Sequence, residues 1–358
     1  MTAAGANQAA QHTLPAQDVS VLLDIVSPGS PGVQLVSIEE KERLIRSGQS
    51  YGELLTPESQ PSDLQRETFA RSLQRGGPRV AELLVRLAGT LYHQYGHRAV
   101  LVSLARAGTP VGCALRRLAR RWGVDWPHFT VSIIRGVGLD PVALAQIQRA
   151  YPDRPLVFVD GWTGKGSIYA ALRDSLPQGC PPHLAVLSDP AGVATHAATF
   201  EDLLLPHAAL NATVCGLLSR TLLPAAEGER HRALVETGLR SADQTEDYLS
   251  ALDTLTAGHT SPPAASPTPG TRPMRPFGAV WALAQALGVR DPHLVKPSVG
   301  EATRVFLRRQ PAGLWVRDQR SPEVAHLLLM AGAAGVPVTE VPALPYQAAA
   351  LIAQGHRE

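Results

Sequence analysis

Four short apolar runs, at residues 100–104, 129–134, 156–159 and 184–187, constrain this chain more than any other feature. Each has the length of a buried strand, and the first three lead through a turn into a helical pattern. After the first run, Thr109 suits an N-cap, Pro110 the first helical position and Gly123 the stop, which predicts a helix over 110–122. After the second, RGVGLDP turns into a helix with Asp140 as cap and Pro141 at its first position. Strands alternating with helices mean right-handed crossovers, hence an α/β fold with a mainly parallel sheet and helices on both faces. Ligands of such sheets bind at the carboxyl ends of the strands, so the loops after 104, 134, 159 and 187 are where chemistry is expected.

The 358 residues suffice for two domains, and 44% hydrophobic with 18% charged residues is ordinary globular usage. No apolar run approaches the ~20 residues needed to span a bilayer, and the first residues lack the pattern of a secretory signal. The expectation is a soluble cytoplasmic protein, without membrane contact, with a disordered leader over 1–17. Residues 257–276 are rich in Pro, Ser and Thr and read as a linker between a large domain, 18–256, and a small one, 277–358. A net charge of +2 argues neither for nor against a polyanionic partner. Cys113, Cys180 and Cys215 are far apart, so neither a disulfide framework nor a zinc site follows.

The sharpest local feature is VFVDGWTGKGS, residues 157–167. Asp160 ends a strand, and Gly161, Gly164 and Gly166 let backbone N–H groups converge where a helix opens, which favours a phosphate. Thr163, Lys165 and Ser167 add donors. The spacing is not that of a P-loop, because two residues rather than four separate Gly161 from Gly164 and Gly166 follows Lys165.

The acidic strand end running into Thr-Gly-x-Gly resembles the ribose-phosphate loop of type I phosphoribosyltransferases, and VLVSLARAGTPVG (100–112) resembles their pyrophosphate loop. SLARAGTP, SIIRGVGLD and FVDGWTGKGS in this order, with GQSYGELLTPE and LNATVCGLLSRTLL, resemble the phosphoribosyltransferase-like proteins of bacterial tellurite-resistance and stress operons. The resemblance implies Mg²⁺-dependent transfer of a phosphoribosyl or related ribosyl group between pyrophosphate and an acceptor, without a covalent nucleophile. It implies phosphoribosyl pyrophosphate or a related ribosyl phosphate as partner, and a fold that often forms homodimers. On it, Arg106 with the backbone of Ala107, Gly108 and Thr109 would cradle pyrophosphate. Thr163 to Ser167 would hold the 5′-phosphate, Asp160 the ribose hydroxyls, Gly161 the phosphate or ribose, and Arg135 a phosphate or carboxylate. A non-catalytic alternative is a sensor of the same ligand that regulates RNA.

A second alternative is a cysteine hydrolase, since related sequences are sometimes labelled cysteine protease. Cys215 shares a segment with Asn211 and follows His196, but its apolar surroundings predict a buried thiol. Cys113 falls in a predicted core helix. His93 and His97 have a metal-pair separation that Gly96 interrupts. Asp189 reads equally as a helix cap or a site residue, and Arg116, Arg117, Arg120 and Arg121 as complements to the helix dipole and solvent.

In the small domain, Ser298 and Glu301 have capping-box spacing before a helix. Strands over 314–316 and 336–341 and a helix over 322–331 predict a small α/β/α sandwich. Between residues 296 and 320 six basic residues face two acidic ones. SVGEATR followed by LRR resembles the RNA-contacting loop and helix of the L7Ae and pelota family, with Ser298 and Gly300 replacing that family's glycine and asparagine. The resemblance implies that Lys296, Gly300, Glu301, Thr303, Arg304 and Arg308 contact structured RNA.

Overall fold

In the computed structural model, which describes residues 11–49, 52–264, 270–274 and 276–353, the four apolar runs lie side by side in one sheet. Its elements are β1 (Ser20–Val21), α1 (Asp63–Tyr95), β2 (Val100–Ala105), α2 (Gly108–Arg121), β3 (His128–Ile134), β4 (Gly138–Leu139), α3 (Pro141–Ala150), β5 (Leu156–Trp162), α4 (Ser167–Ser175), β6 (Leu184–Ser188), β7 (His196–Thr199) and α5 (Thr245–Leu255). The order is β1-β3-β2-β5-β6-β7, parallel throughout, with β4 turned back antiparallel on β3. Leu101, Val157 and Val159 pack with Leu83, Leu87 and Leu115 of α1 and α2 on one face. Val102, Phe158 and Val186 pack with Leu144, Ile147 and Leu172 of α3 and α4 on the other. Two covered faces explain why the strands read as unbroken apolar runs. The predicted α/β architecture with helices on both faces is what the chain forms.

Several local expectations need correction. α2 begins at Gly108, so Thr109 is no cap; it is buried, with Oγ1 2.7 Å from Thr130 Oγ1. β5 runs past residue 159 to Trp162, because Asp160 and Trp162 still pair with Val186 and Ser188 of β6. Asp140 does cap α3, accepting from the Val142 and Ala143 N–H groups at 2.9 and 3.0 Å. The α2 arginines are not left to solvent: Arg117 pairs with Asp18 at 2.6 Å and Glu246 at 2.9 Å, and Arg121 with Asp253 at 2.6 Å, which ties α2 to α5. Residues 1–10 of the expected leader lie outside the described residues. From residue 13 the chain is packed, since the Thr13 N–H donates to Gly216 O at 3.2 Å and Leu14 is buried.

The described parts of 257–276 lie on the first domain. Trp122 Nε1 donates to His259 O at 2.9 Å, and Arg272 to Gly192 O and Ala194 O at 2.9 and 3.0 Å. Beyond come α6 (Pro276–Ala286), β8 (Val295–Pro297), α7 (Val299–Arg308), β9 (Pro311–Val316), α8 (Ala325–Ala334), β10 (Val338–Glu340) and β11 (Ala348–Ile352). The sheet order is β8-β11-β9-β10. α7 and α8 cover one face through Val299, Val305 and Leu327, and α6 the other through Val280 and Ala284, giving the predicted α/β/α layering.

Candidate functional site

β5 carries Asp160 and Trp162 to its carboxyl end, where both line a cavity of about 360 Å³ between the two domains. Lysine and arginine outnumber carboxylates nine to three along its wall, so it suits an anionic ligand. Burial pushes the Asp160 carboxyl up to about 7, against the opposing influence of Arg304 and of the Gly161 N–H, which donates to Oδ1 at 2.8 Å.

The loop expected to hold phosphate is largely engaged elsewhere. Thr163 Oγ1 donates to Asp189 Oδ1 at 2.6 Å and accepts from the Ala191 N–H at 3.2 Å. Asp189 also accepts from the Val193 and Ala194 N–H groups, so it organises a turn. Lys165 Nζ donates to Pro292 O of the second domain at 2.7 Å; burial, then Lys296 and Arg135, pull its pKa down to about 8. Gly161 lies beneath His207, whereas Thr163, Gly164, Lys165, Gly166, Ser167 and Arg135 all line the cavity. Ala107, Gly108 and Thr109 are buried at the head of α2. The Arg106 guanidinium is buried, pairs with Glu58 at 2.6 Å and donates to Leu218 O at 2.7 Å. Burial acts to raise the Glu58 carboxyl, but Arg106, Arg308 and the Ala212 N–H hold it below its ordinary range.

Of the residues expected to bind RNA, Lys296, Glu301, Arg304 and Arg308 line the same cavity from the other side. Arg304 lies 4.4 Å over the Trp162 ring, a cation–π contact between domains. Thr303 is buried, donates to Val299 O at 2.8 Å and sits 2.7 Å from His326 Nε2, so it holds α7 against α8. Ser298 caps α7, its Oγ accepting from the Glu301 N–H at 3.3 Å, with φ at 87° where the resembled family has glycine.

The cysteines occupy different environments. Burial pushes Cys113 far above the thiol range, with Asp18 adding to the effect. Cys215 is also buried and raised, to about 11, but its charged neighbours Arg106, Arg304, Glu58 and Arg308 all line the cavity. Its Sγ–H donates to Arg106 O at 3.5 Å. His196, expected upstream of it, is on β7, with Nε2 2.7 Å from the Tyr95 hydroxyl. His207, eight residues before Cys215 in the sequence, is a further buried imidazole, which sequence reasoning passed over. Burial and then Arg304 hold His207 down at about 3, so the ring is neutral. Nδ1 is 3.1 Å from the Tyr248 hydroxyl, while Nε2 lies toward the Ala107 carbonyl without hydrogen-bond alignment. Asn211 Oδ1 is likewise buried without a partner. Glu58, Trp162 and His207 come from separate segments, and no local spacing signals them. Among the described residues no cluster of three or more His, Cys, Asp or Glu forms a metal site, His93 and His97 included, and no helix is long and apolar enough to cross a membrane.

Residues 12–253 match the family described as tellurite-like stress resistance cysteine protease StiP, and residues 275–354 match the PELOTA RNA binding domain. The cysteine protease StiP of Acinetobacter baylyi (strain ATCC 33305 / BD413 / ADP1) is 33% identical over 339 residues, covering 87% of this chain and 88% of that protein. No solved structure matches the chain. These findings correct the expectation of a phosphoribosyltransferase, because family and relative are both named as cysteine proteases. Nothing in them supports phosphoribosyl pyrophosphate or Mg²⁺ as ligands. With a family match across most of its length and a third of its residues shared with that relative, the chain belongs to the tellurite-like stress resistance cysteine protease StiP family.

Proposed function

We propose that the chain is a thiol-dependent hydrolase of peptide or amide bonds, with Cys215 as nucleophile and His207 as base, acting on substrates that enter the interdomain cavity. One observation carries this reading. Segment 207–215 buries His207 and Cys215, and leaves His207 Nε2 and the buried Oδ1 of the half-buried Asn211 without hydrogen bonds. Buried polar atoms left unsatisfied cost ~1–3 kcal/mol each, so their retention in one segment favours a chemical role.

The thiol rests protonated, so nucleophilic attack needs proton transfer rather than a standing thiolate. In the proposed step His207 takes the Sγ proton as sulfur bonds to the substrate carbonyl carbon. The tetrahedral intermediate then expels the amine, which takes that proton, and water cleaves the thioester. Arg106, Arg304 and Arg308 favour negative charge on sulfur, and the cationic wall favours acidic peptide substrates. Hydrolysis of an acidic peptide library tests this: Cys215→Ser should abolish it while Cys113→Ser and Cys180→Ser retain it. Activity surviving Cys215→Ser sinks the assignment.

For the C-terminal domain the proposed activity is RNA binding. The family match supports it, as do Lys296, Arg304 and Arg308 gathered around the start and the cavity-facing side of α7. Binding should weaken with salt, and Arg304→Ala should lower the salt slope by ~0.7–0.9.

A further inference from the structure

The cationic edge of the C-terminal domain is also the edge that docks on the first domain. Gly300 approaches Trp162 so closely that a Cβ on it would fall 2.3 Å from the ring, and Arg304 covers the face of the same ring. Glu301 packs on Gly164. Both domains supply groups that fasten this arrangement. Asp202, buried in the first domain, accepts from the Val299 N–H at 3.0 Å and the Gln347 N–H at 2.9 Å. Glu323, from the second, accepts from the Leu204 N–H at 2.6 Å, and the Leu204 side chain packs against the cores of both domains. Tyr346 OH donates to Gly164 O at 3.0 Å. The space left beneath the edge, about 360 Å³, has the size of a small-molecule pocket and does not admit a folded RNA.

We propose that RNA and the first domain compete for this edge: RNA that engages Lys296, Arg304 and Arg308 displaces the C-terminal domain and uncovers the cavity beside Cys215. The C-terminal domain is then a lid that RNA releases. This rests on the RNA-binding reading above. Because only the undocked fraction binds RNA, docking lowers the apparent affinity by that fraction.

The test uses the full chain and an RNA hairpin carrying an internal bulge, at low salt. Hydrogen exchange is read at Leu204, whose amide partner Glu323 lies outside the cationic edge. RNA should speed exchange at Leu204. Asp202→Asn sets an amide NH₂ against backbone donors and leaves the C-terminal domain chemically untouched, so it should bind RNA about tenfold more tightly. A second variant works in the opposite direction and does not depend on that one folding. A Cβ on residue 164 would lie 2.7 Å from Glu301 Cγ, so Gly164→Cys with Glu301→Cys can close a disulfide across the interface. Its oxidised form should bind RNA at least about tenfold more weakly than the same protein reduced. If RNA binds with Leu204 exchange unchanged and with equal affinity for oxidised and reduced protein, competition is refuted while RNA binding stands. If wild type, Asp202→Asn and the reduced double variant all fail to bind, the RNA-binding reading itself falls, and the competition with it.

Discussion

Arg304 lies 4.4 Å above the ring of Trp162, and the two residues belong to different domains. Trp162 ends the strand that delivers Asp160, and Arg304 stands on the helix expected to meet RNA, so one contact joins the two functional halves of the chain. Arg304 also opposes the burial that raises the Asp160 carboxyl and the Cys215 thiol.

Arg304→Met keeps much of the side-chain volume and loses the charge over the ring. A partly desolvated cation–π contact contributes ~0.5–2 kcal/mol, so docking should weaken by that amount. Arg304→Lys should fall between wild type and Met. Exchange at Leu204 measures the opening; identical exchange in all three proteins would show that the contact does not hold the domains together.

The pH profile of hydrolysis separates two ways of making a thiolate. If neutral His207 takes the proton from neutral Cys215, the active pair predominates between the imidazole pKa of about 3 and the thiol pKa of about 11. kcat/KM should then be flat from about pH 5 to 9. If a free thiolate attacks, the rate should climb about tenfold per pH unit over the same range. A climbing profile removes His207 from the mechanism without removing Cys215.

Acid should destabilise the fold through its buried histidines. Burial depresses His128 and His207 to about 3 and His326 to about 4. A folded pKa below the unfolded value gives stability that is present above about pH 6.5 and lost as the pH falls, by ~1.4 kcal/mol per unit for each group. Asp160 and Asp202 act in the opposite sense. Burial raises both to about 7, so their contribution grows as the pH falls from there toward the ordinary aspartate range. With His196 also held at about 4, four strongly shifted histidines against two strongly shifted aspartates leave a maximum near pH 6.5 and a net loss below it, lessened by Asp18, Asp189, Glu236 and Glu323, whose carboxyls burial also raises. Melting temperatures from pH 8 to 4 check this, and Asp202→Asn, which removes one compensating group, should steepen the acid limb. A midpoint that rises steadily to pH 4 contradicts the histidine assignments.

The parallel sheet was legible because its signals are local. Apolar runs of strand length and the cap at Asp140 act within a few residues of chain. β11 was not: AAALI carries alanines that suit a helix, and only burial between two helical layers makes it a central strand. Within the site, TGKGS correctly announced a turn into a helix, but the partner of Lys165 is a carbonyl more than a hundred residues away. The composition of 257–276 signalled a linker and, with it, independent domains; the contacts of Asp202, Leu204 and Tyr346 hold them together instead. His207 escaped notice because the Tyr248 beside it comes from α5, which packs there only after folding.

Three alanine substitutions at glycine should change stability with opposite signs, although helix propensity alone favours all of them. Glycine inside a helix is ordinarily ~0.5–1 kcal/mol worse than alanine. Gly76, midway along α1, has open space for 4 Å around the place a Cβ would take, so Gly76→Ala should gain about that ~0.5–1 kcal/mol. Gly108 differs: its Cβ would fall 2.0 Å from the carbonyl oxygen of Val159 on β5. Backbone cannot swing aside as a side chain can, so α2 must lift from the sheet that carries Asp160. At Gly112 the Cβ would meet Ser103 Oγ at 2.2 Å and His128 Nε2 at 2.3 Å, breaking their 2.7 Å hydrogen bond within the core. Overpacking costs ~1–3 kcal/mol, so Gly108→Ala should lose up to ~2 kcal/mol after the propensity gain, and Gly112→Ala, which also orphans a buried polar group at a similar cost, should lose more. Urea midpoints at unchanged m-value measure all three. A stabilised Gly108→Ala would mean that α2 does not sit on β5 as closely as this fold requires.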